Sequence, residues 1–260
     1  MIDAMHIIGN IFAIERKDDL HTAFMKDVRK LIDSVQPTHC LVCFDDLSRN
    51  WRRTLGQHYS QRGYKLPMAL RLQSMSLAKT LRNNGIQSVC KSTMEARDII
   101  NSVKTRLESL DDFAELEIIV VAGGKRYHSI VSEKTSLYSP YNRGKAPSKK
   151  TAQVISEVYG GTGKRVVEFL ALAGDKDTNI SGVTGIGEKK ALELLNEYGT
   201  LRTIHTHKAM VDGAIGEKLR AGLQPNGECI TSYKLLSAKT DVSIGMNFSQ
   251  LQVQTVMQAA

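Results

Sequence analysis

The chain has 260 residues, 42% hydrophobic and 24% charged, a size and balance that suit one large α/β domain with a small helical appendage and exclude a disordered chain. No apolar run approaches the roughly 20 residues of a membrane-spanning helix, and the N-terminus has no export signal, so the expected location is the cytoplasm. Thirty-five Lys and Arg against 27 Asp and Glu give a net charge of +8, a bias toward a polyanionic partner that solvated lysines alone can also produce.

Between residues 18 and 35, Leu20, Phe24, Val28, Leu31, Ile32 and Val35 recur at the helical period behind an acidic start, which predicts an amphipathic helix. The apolar run Cys40 to Phe44 reads as a buried strand ending at Asp45 and Asp46, where α/β sheets place their sites. Cys40 and Cys43 form a C-x-x-C inside that strand. Their odd separation sends the thiols to opposite faces, so they read as core residues rather than a zinc site or redox pair. Residues 47–67 are polar and basic with little periodicity, and interleave Arg49, Trp51, Arg52, Arg53, His58, Tyr59, Arg62, Tyr64 and Lys65.

A helix is expected over 69–83, a short strand over 86–90, a helix from Met94 to about 107, and a strand over 117–122 that breaks at Gly123 and Gly124. This alternation predicts a mostly parallel sheet covered on both faces. Residues 142–151, rich in Lys, Gly, Pro and Ser, look like a connector, and the pattern beyond is almost entirely helical. The expected division is an α/β domain over 1–141 and a helical region over 142–260. Gly160-Gly161-Thr162-Gly163-Lys164 lacks Walker spacing and follows no strand, so no nucleotide cofactor is expected.

The most specific stretch runs from Phe169 to Ala191. Gly185-Ile186-Gly187 makes a tight turn opening a helix that ends at Tyr198. Two glycines allow close approach of a phosphate, exposed amides at the helix start can donate to it, and Lys189 and Lys190 add charge. The segment Leu172-Ala173-Gly174-Asp175, followed by Asn179-Ile180-Ser181-Gly182-Val183 and Gly185-Ile186-Gly187, resembles the helix-three-turn-helix of the flap endonuclease (5′-nuclease) family, spanning about 169–198 here. Ile2-Asp3, Phe44-Asp45, Trp51-Arg52 with Tyr59, Glu95-Ala96-Arg97-Asp98 and Val121 to Tyr127 extend the likeness over most of the chain. The subgroup it is most similar to is the short bacterial flap endonuclease-like proteins without a polymerase domain.

That resemblance implies a PIN-like 5′-nuclease fold, with an arch over about 47–80 through or under which a 5′ flap passes. It implies a potassium ion on the backbone carbonyls of Leu172, Ala173, Ser181, Val183 and Ile186, and DNA contacts from Gly185, Gly187, Lys189, Lys190, Arg52, Tyr59 and Arg62. In the arch, Trp51, Tyr59 and Tyr64 either stack on unpaired bases or pack beneath an ordinary basic loop; the arch position favours stacking. Lys125, Arg126 and His128 either touch phosphate or are solvated surface. Residues 142–165, with Arg143, Lys145, Lys149, Lys150, Lys164 and Arg165, extend the expected duplex-binding face.

For catalysis the resemblance implies two-metal hydrolysis with Mg²⁺ or Mn²⁺ on Asp3, Asp45, Glu95 and Asp98, and on Asp175 for the second ion. Several ligand positions are lost: Arg97 and Gly124 stand where the family has Asp, and Thr178 where another Asp is usual. Arg97 is therefore expected to pair with Asp3, Asp45 or Asp98 and supply the charge of the missing metal. The function expected is structure-specific binding of 5′-flap or junction DNA by a monomer in the cytoplasm, on nucleoid DNA, with the family's 5′-nuclease activity weakened. The alternatives are a DNA-binding or scaffold protein derived from a nuclease, and an RNA- or protein-binding module.

Overall fold

The computed structural model describes residues 1–13, 19–56, 58–59, 67–111, 115–141, 146–209 and 211–253, without the side chains of 69–71. Asp18, Arg62, Tyr64, Lys65, Arg143 and Lys145 lie outside the described residues. Among those described, six strands form one sheet in the order β3-β2-β1-β4-β5-β6. They are β1 (Ile2–Asp3), β2 (Leu41–Phe44), β3 (Gln87–Cys90), β4 (Ile118–Val121), β5 (Thr135–Ser139) and β6 (Ser148–Lys150). β1 to β5 run parallel, and β6 pairs antiparallel with β5.

Helices α1 (Ala4–Ala13), α2 (Leu20–Val35), α3 (Arg52–Leu55), α4 (Met68–Asn83) and α5 (Ala96–Glu108) connect the first strands. α2 begins where Asp19 accepts hydrogen bonds from the amides of His21 and Thr22 and ends at Gln36 in the left-handed region, before Pro37. Strand alternation sorts β2 between two cores: Leu41 and Cys43 pack on one face with Ile99 and Ile100 of α5, while Val42 and Phe44 face Phe24 and Val28 of α2 and Leu77 of α4. Cys40 and Cys43 fall into opposite cores, both buried, free, and with thiols raised by burial. They are core thiols, as their spacing implies.

β1 occupies the centre of the sheet although it is two residues long, with Ile2 opposite both Val42 and Val121. The Met1 ammonium donates to Ile119 O at 2.8 Å, a place where a ladder amide would sit, and burial lowers its pKa. β5 and β6 were not expected. Thr-Ser-Leu-Tyr-Ser carries one aliphatic residue, and the connector-like Ser-Lys-Lys of β6 is an edge strand, where lysines are favoured because they discourage further pairing.

The remaining helices are α6 (Ala152–Tyr159), α7 (Lys164–Ala173), α8 (Glu188–Tyr198), α9 (Leu201–His207), α10 (Gly213–Gly222) and α11 (Glu228–Leu236). α7, buried along Val166 to Leu172, is the axis on which α8 and α11 pack. The chain therefore has the mostly parallel sheet, helix-covered faces and helical second half read from its sequence. Among the described residues, no helix is long and apolar enough to cross a membrane.

Candidate functional site

The C-terminal ends of the parallel strands converge, and the carboxylates singled out in the sequence meet there. Asp3 closes β1 and caps α1, its Oδ1 accepting from the amides of Met5 (2.9 Å) and His6 (3.3 Å). Its Oδ2 accepts from the Tyr127 hydroxyl at 2.7 Å. Asp45 follows β2 and accepts from the Ala96 amide at 2.7 Å. Glu95 stands at the N-cap of α5, and Asp98, one turn on, accepts from the Glu95 amide at 3.1 Å. All four are buried.

Glu95 and Asp98 are already saturated with donors. Glu95 Oε1 accepts from Asn50 Nδ2 and from the Tyr59 hydroxyl, both at 2.7 Å; Oε2 accepts from Arg126 Nη1 at 2.6 Å and lies 3.5 Å from Arg52 Nη1. Asp98 is gripped by Arg52 in a two-pronged pair, Nη1 to Oδ2 at 2.7 Å and Nη2 to Oδ1 at 2.6 Å. It accepts further from Trp51 Nε1 at 3.2 Å and the Lys239 amide at 3.0 Å. Burial pushes the Glu95 carboxyl up, but Arg126 and Arg52 outweigh it and bring it to about 2. Asp98 is likewise held well below the usual range by Arg52 against the effect of burial. Asp45 is pushed up to about 7 by burial and by Asp3 and Glu95 beside it.

Three expectations are corrected here. Arg52 and Tyr59, expected on DNA at the arch, are interior residues 0% and 3% exposed, because their polar groups serve Asp98 and Glu95. Arg97 does not pair with Asp3, Asp45 or Asp98: its Nη1 donates to Leu236 O at 2.6 Å and its Nη2 to Leu235 O at 3.4 Å, at the end of α11. The cations on the carboxylates are Arg52 and Arg126. Arg126, read as a phosphate contact or solvated surface, is buried and donates to both Glu95 and Tyr59. No local pattern could have revealed it, since its partners lie 31 and 67 residues away.

The donor set does not fit a divalent ion. Mg²⁺ needs free carboxylate oxygens in octahedral array, and those of Glu95 and Asp98 are filled by nitrogen and hydroxyl donors. Among the described residues, no three Asp, Glu, His or Cys side chains are disposed to hold a metal. Arg97 is fully buried and lowered to about 10 by burial and by Arg52 and Arg126 around it. A unit-charge interaction at ~4 Å is worth roughly 4 kcal/mol at an effective dielectric near 20, and a divalent ion doubles the repulsion from each guanidinium. Gly124, at φ 101° and ψ 152°, occupies backbone space that essentially only glycine tolerates, so a carboxylate at 124 requires the chain to move. Asp175 caps the turn 176–178 by accepting from the Asp177 amide at 3.4 Å, and it accepts from Thr178 Oγ1 at 2.6 Å.

The second locus is the turn joining α7 to α8. Asp175 and Ile180 exchange backbone hydrogen bonds of 2.8 and 2.9 Å, and the Val183 amide returns to Leu172 O at 2.8 Å. Gly182, at φ 69°, is obligatory: a Cβ there would lie 2.3 Å from Gly174 N and 2.6 Å from Leu172 O. Val183 and Ile186 anchor the turn in the core, while Ser181, Gly185, Gly187 and Lys189 face solvent. Gly187 is the N-cap of α8 and provides no side-chain cap; nothing occupies the 4 Å around its would-be Cβ. Lys218 of α10 extends over Gly185, and Glu228 of α11 accepts from the Thr184 amide at 2.9 Å. Lys190 is paired with Glu193. Arg165, expected on the duplex-binding face, instead donates to Tyr159 O at 3.0 Å and Leu195 O at 2.8 Å, tying α6 to α8.

Residues 1–160 match the 5′-3′ exonuclease N-terminal resolvase-like domain, and residues 162–259 match the 5′-3′ exonuclease C-terminal SAM fold. The flap endonuclease Xni of Shewanella pealeana is 30% identical over 258 residues, covering 98% of this chain and 96% of that protein. DNA polymerase I of Bacillus caldotenax is 29% identical over 232 residues, which are 89% of this chain and 26% of the polymerase. Among solved structures, the T5 5′-exonuclease with zinc bound superposes with a TM-score of 0.71 at 16% identity, over 90% of this chain and 87% of that one. The catalytic core of Rad2 in complex with DNA substrate gives 0.62 at 16% identity, over 92% and 78%. At such identities these structures establish the fold alone. The two matched domains, with a relative aligned over nearly its whole length, establish that the chain belongs to the 5′-3′ exonuclease and flap endonuclease family.

Proposed function

We propose that this protein binds DNA carrying a 5′ flap or a single-strand/duplex junction, gripping the duplex backbone at the turn 183–187 and the first turn of α8. The observation that carries the reading is the uncapped, exposed start of α8 at Gly187, with Lys189 beside it and Lys218 over Gly185. Unpaired amides at a helix start, a favourable dipole and two cations make a phosphate seat that reads no sequence. The carbonyls of Leu172, Ala173, Ser181, Val183 and Ile186, in and around this turn, suit a hard monovalent cation, and potassium held there would bridge protein and phosphate. Cytoplasmic action on nucleoid DNA as a monomer fits the reading.

The test is anisotropy with 5′-flap, forked and blunt DNA at low ionic strength, using the native chain and Gly187→Asp. The variant should fold, because the space around Gly187 is open, and should lose at least tenfold in affinity. Equal affinity of variant and native chain, or no preference for flap and forked DNA over blunt duplex, would overturn the assignment. A second reading, Mg²⁺- or Mn²⁺-dependent 5′-flap cleavage, is supported by the family and is measured by incubating labelled 5′-flap DNA with each ion.

A further inference from the structure

We infer that Arg52 and Arg126 are permanent internal counter-cations of the carboxylate cluster, so that the chain engages DNA with no divalent ion at that locus and does not hydrolyse phosphodiesters there. The inference rests on the DNA-binding reading above and makes it independent of divalent metal.

Three observations carry it. First, every oxygen of Glu95 and Asp98 already accepts from fixed donors, so an ion could bind these two residues only by displacing guanidinium, indole, hydroxyl or amide groups that would then be left buried and unpaired. Second, the guanidiniums of Arg52 and Arg97 cannot simply swing away. Arg52 Nε donates to Leu235 O at 2.7 Å and its Nη2 to Ser237 O at 3.0 Å, and Arg97 Nη1 donates to Leu236 O at 2.6 Å, so the end of α11 pins them in place. Third, the cluster sets four carboxylates, Asp3, Asp45, Glu95 and Asp98, against three buried guanidiniums, Arg52, Arg97 and Arg126, leaving little charge for a divalent ion to neutralise. The arginines also perform the tethering that an ion would perform, since Arg52 and Arg126 join α3, Tyr59, α5 and the segment after β4.

The deciding measurement is Mn²⁺ binding to the DNA-free protein, read by electron paramagnetic resonance, for the native chain and for Arg52→Ala/Arg126→Ala. The native chain should leave the Mn²⁺ signal unchanged up to millimolar ion, and its affinity for forked DNA should be the same within twofold in EDTA and in Mg²⁺. The double variant should bind Mn²⁺ at least tenfold more tightly than the native chain. Stoichiometric Mn²⁺ binding by the native chain at micromolar ion, or metal-dependent cleavage of 5′-flap DNA by it, would overturn the inference. Should the double variant fail to fold by circular dichroism, the native titration decides alone. Failure to bind DNA at all would strike the DNA-binding reading while leaving the Mn²⁺ result to judge the cluster.

Discussion

Arg52 and Asp98, 46 positions apart in the chain, meet in a two-pronged ion pair of 2.7 and 2.6 Å with neither side chain exposed to solvent. The same guanidinium stacks over the Trp51 ring at 4.4 Å and donates to Leu235 O at the end of α11 and to Ser237 O just beyond it. One side chain thus fastens α3 to both halves of the molecule. A planar fork matches a carboxylate in a way that the point charge of lysine cannot.

Removing one partner of such a pair leaves the other charge buried and uncompensated. Arg52→Ala is expected to cost about 3–5 kcal/mol of stability, and Arg52→Lys nearly as much because it loses the second prong. Urea unfolding followed by circular dichroism measures it. A loss below about 1 kcal/mol would mean that water reaches the pair and screens it.

The carboxylates give stability two opposed pH limbs. Glu95 and Asp98 have folded pKa values below their unfolded ones, so their contribution is present above about pH 4 and is lost as pH falls through the folded values. Asp45 is the reverse, raised to about 7; its contribution is complete below its unfolded value and disappears as pH rises through 7. Asp45→Asn keeps the acceptor for the Ala96 amide and removes the charge. The variant should match the native chain near pH 4 and exceed it at pH 8 by on the order of 2 kcal/mol. Urea midpoints at the two values check this, and equal midpoints at pH 8 would show that Asp45 is not charged at a cost.

The fold was legible because its signals are local. Periodicity placed α2 within two residues, an apolar run placed β2, and Gly185-Ile186-Gly187 located the turn before α8. The resemblance to the flap endonuclease family pointed to Asp3, Asp45, Glu95 and Asp98, and Asp45 was legible as well from its place at the end of a strand. What could not be read was who neutralises them. Arg52 and Arg126 look like exposed cations in sequence because their partners are supplied by other elements, and Trp51-Arg52-Arg53 reads as a basic surface although Arg52 is buried and the Trp51 indole donates to Asp98. Arg97 was placed at the right locus and given the wrong partner, since the α11 carbonyls it uses lie more than a hundred residues away.

Gly182 and Gly187 separate what the turn needs to fold from what it needs to bind. A Cβ on Gly182 collides with backbone atoms of Gly174 and Leu172 that cannot yield, at a φ of 69°. Gly182→Ala should therefore cost more than about 2 kcal/mol and weaken DNA binding with it. Gly187→Ala meets nothing and has φ −86°, so its melting temperature should stay within about 2 °C of the native value. Reversed outcomes in a thermal melt would show that the turn is held differently.

The lysines around the turn predict a salt dependence. Each phosphate neutralised releases condensed counterions and contributes about −0.9 to the slope of log K against log salt on duplex DNA. Lys189 is exposed beside the start of α8, and Lys218 reaches over Gly185 from α10, so each is placed to neutralise one phosphate. Lys189→Ala and Lys218→Ala should each make the slope shallower by about 1, the double variant by about 2. Lys190, paired with Glu193 one turn along α8, should change it far less. Anisotropy titrations at several salt concentrations give the slopes. If Lys190→Ala produced the larger change, the phosphate would run along the side of α8 rather than across its first turn, and the seat at Gly187 would be misplaced.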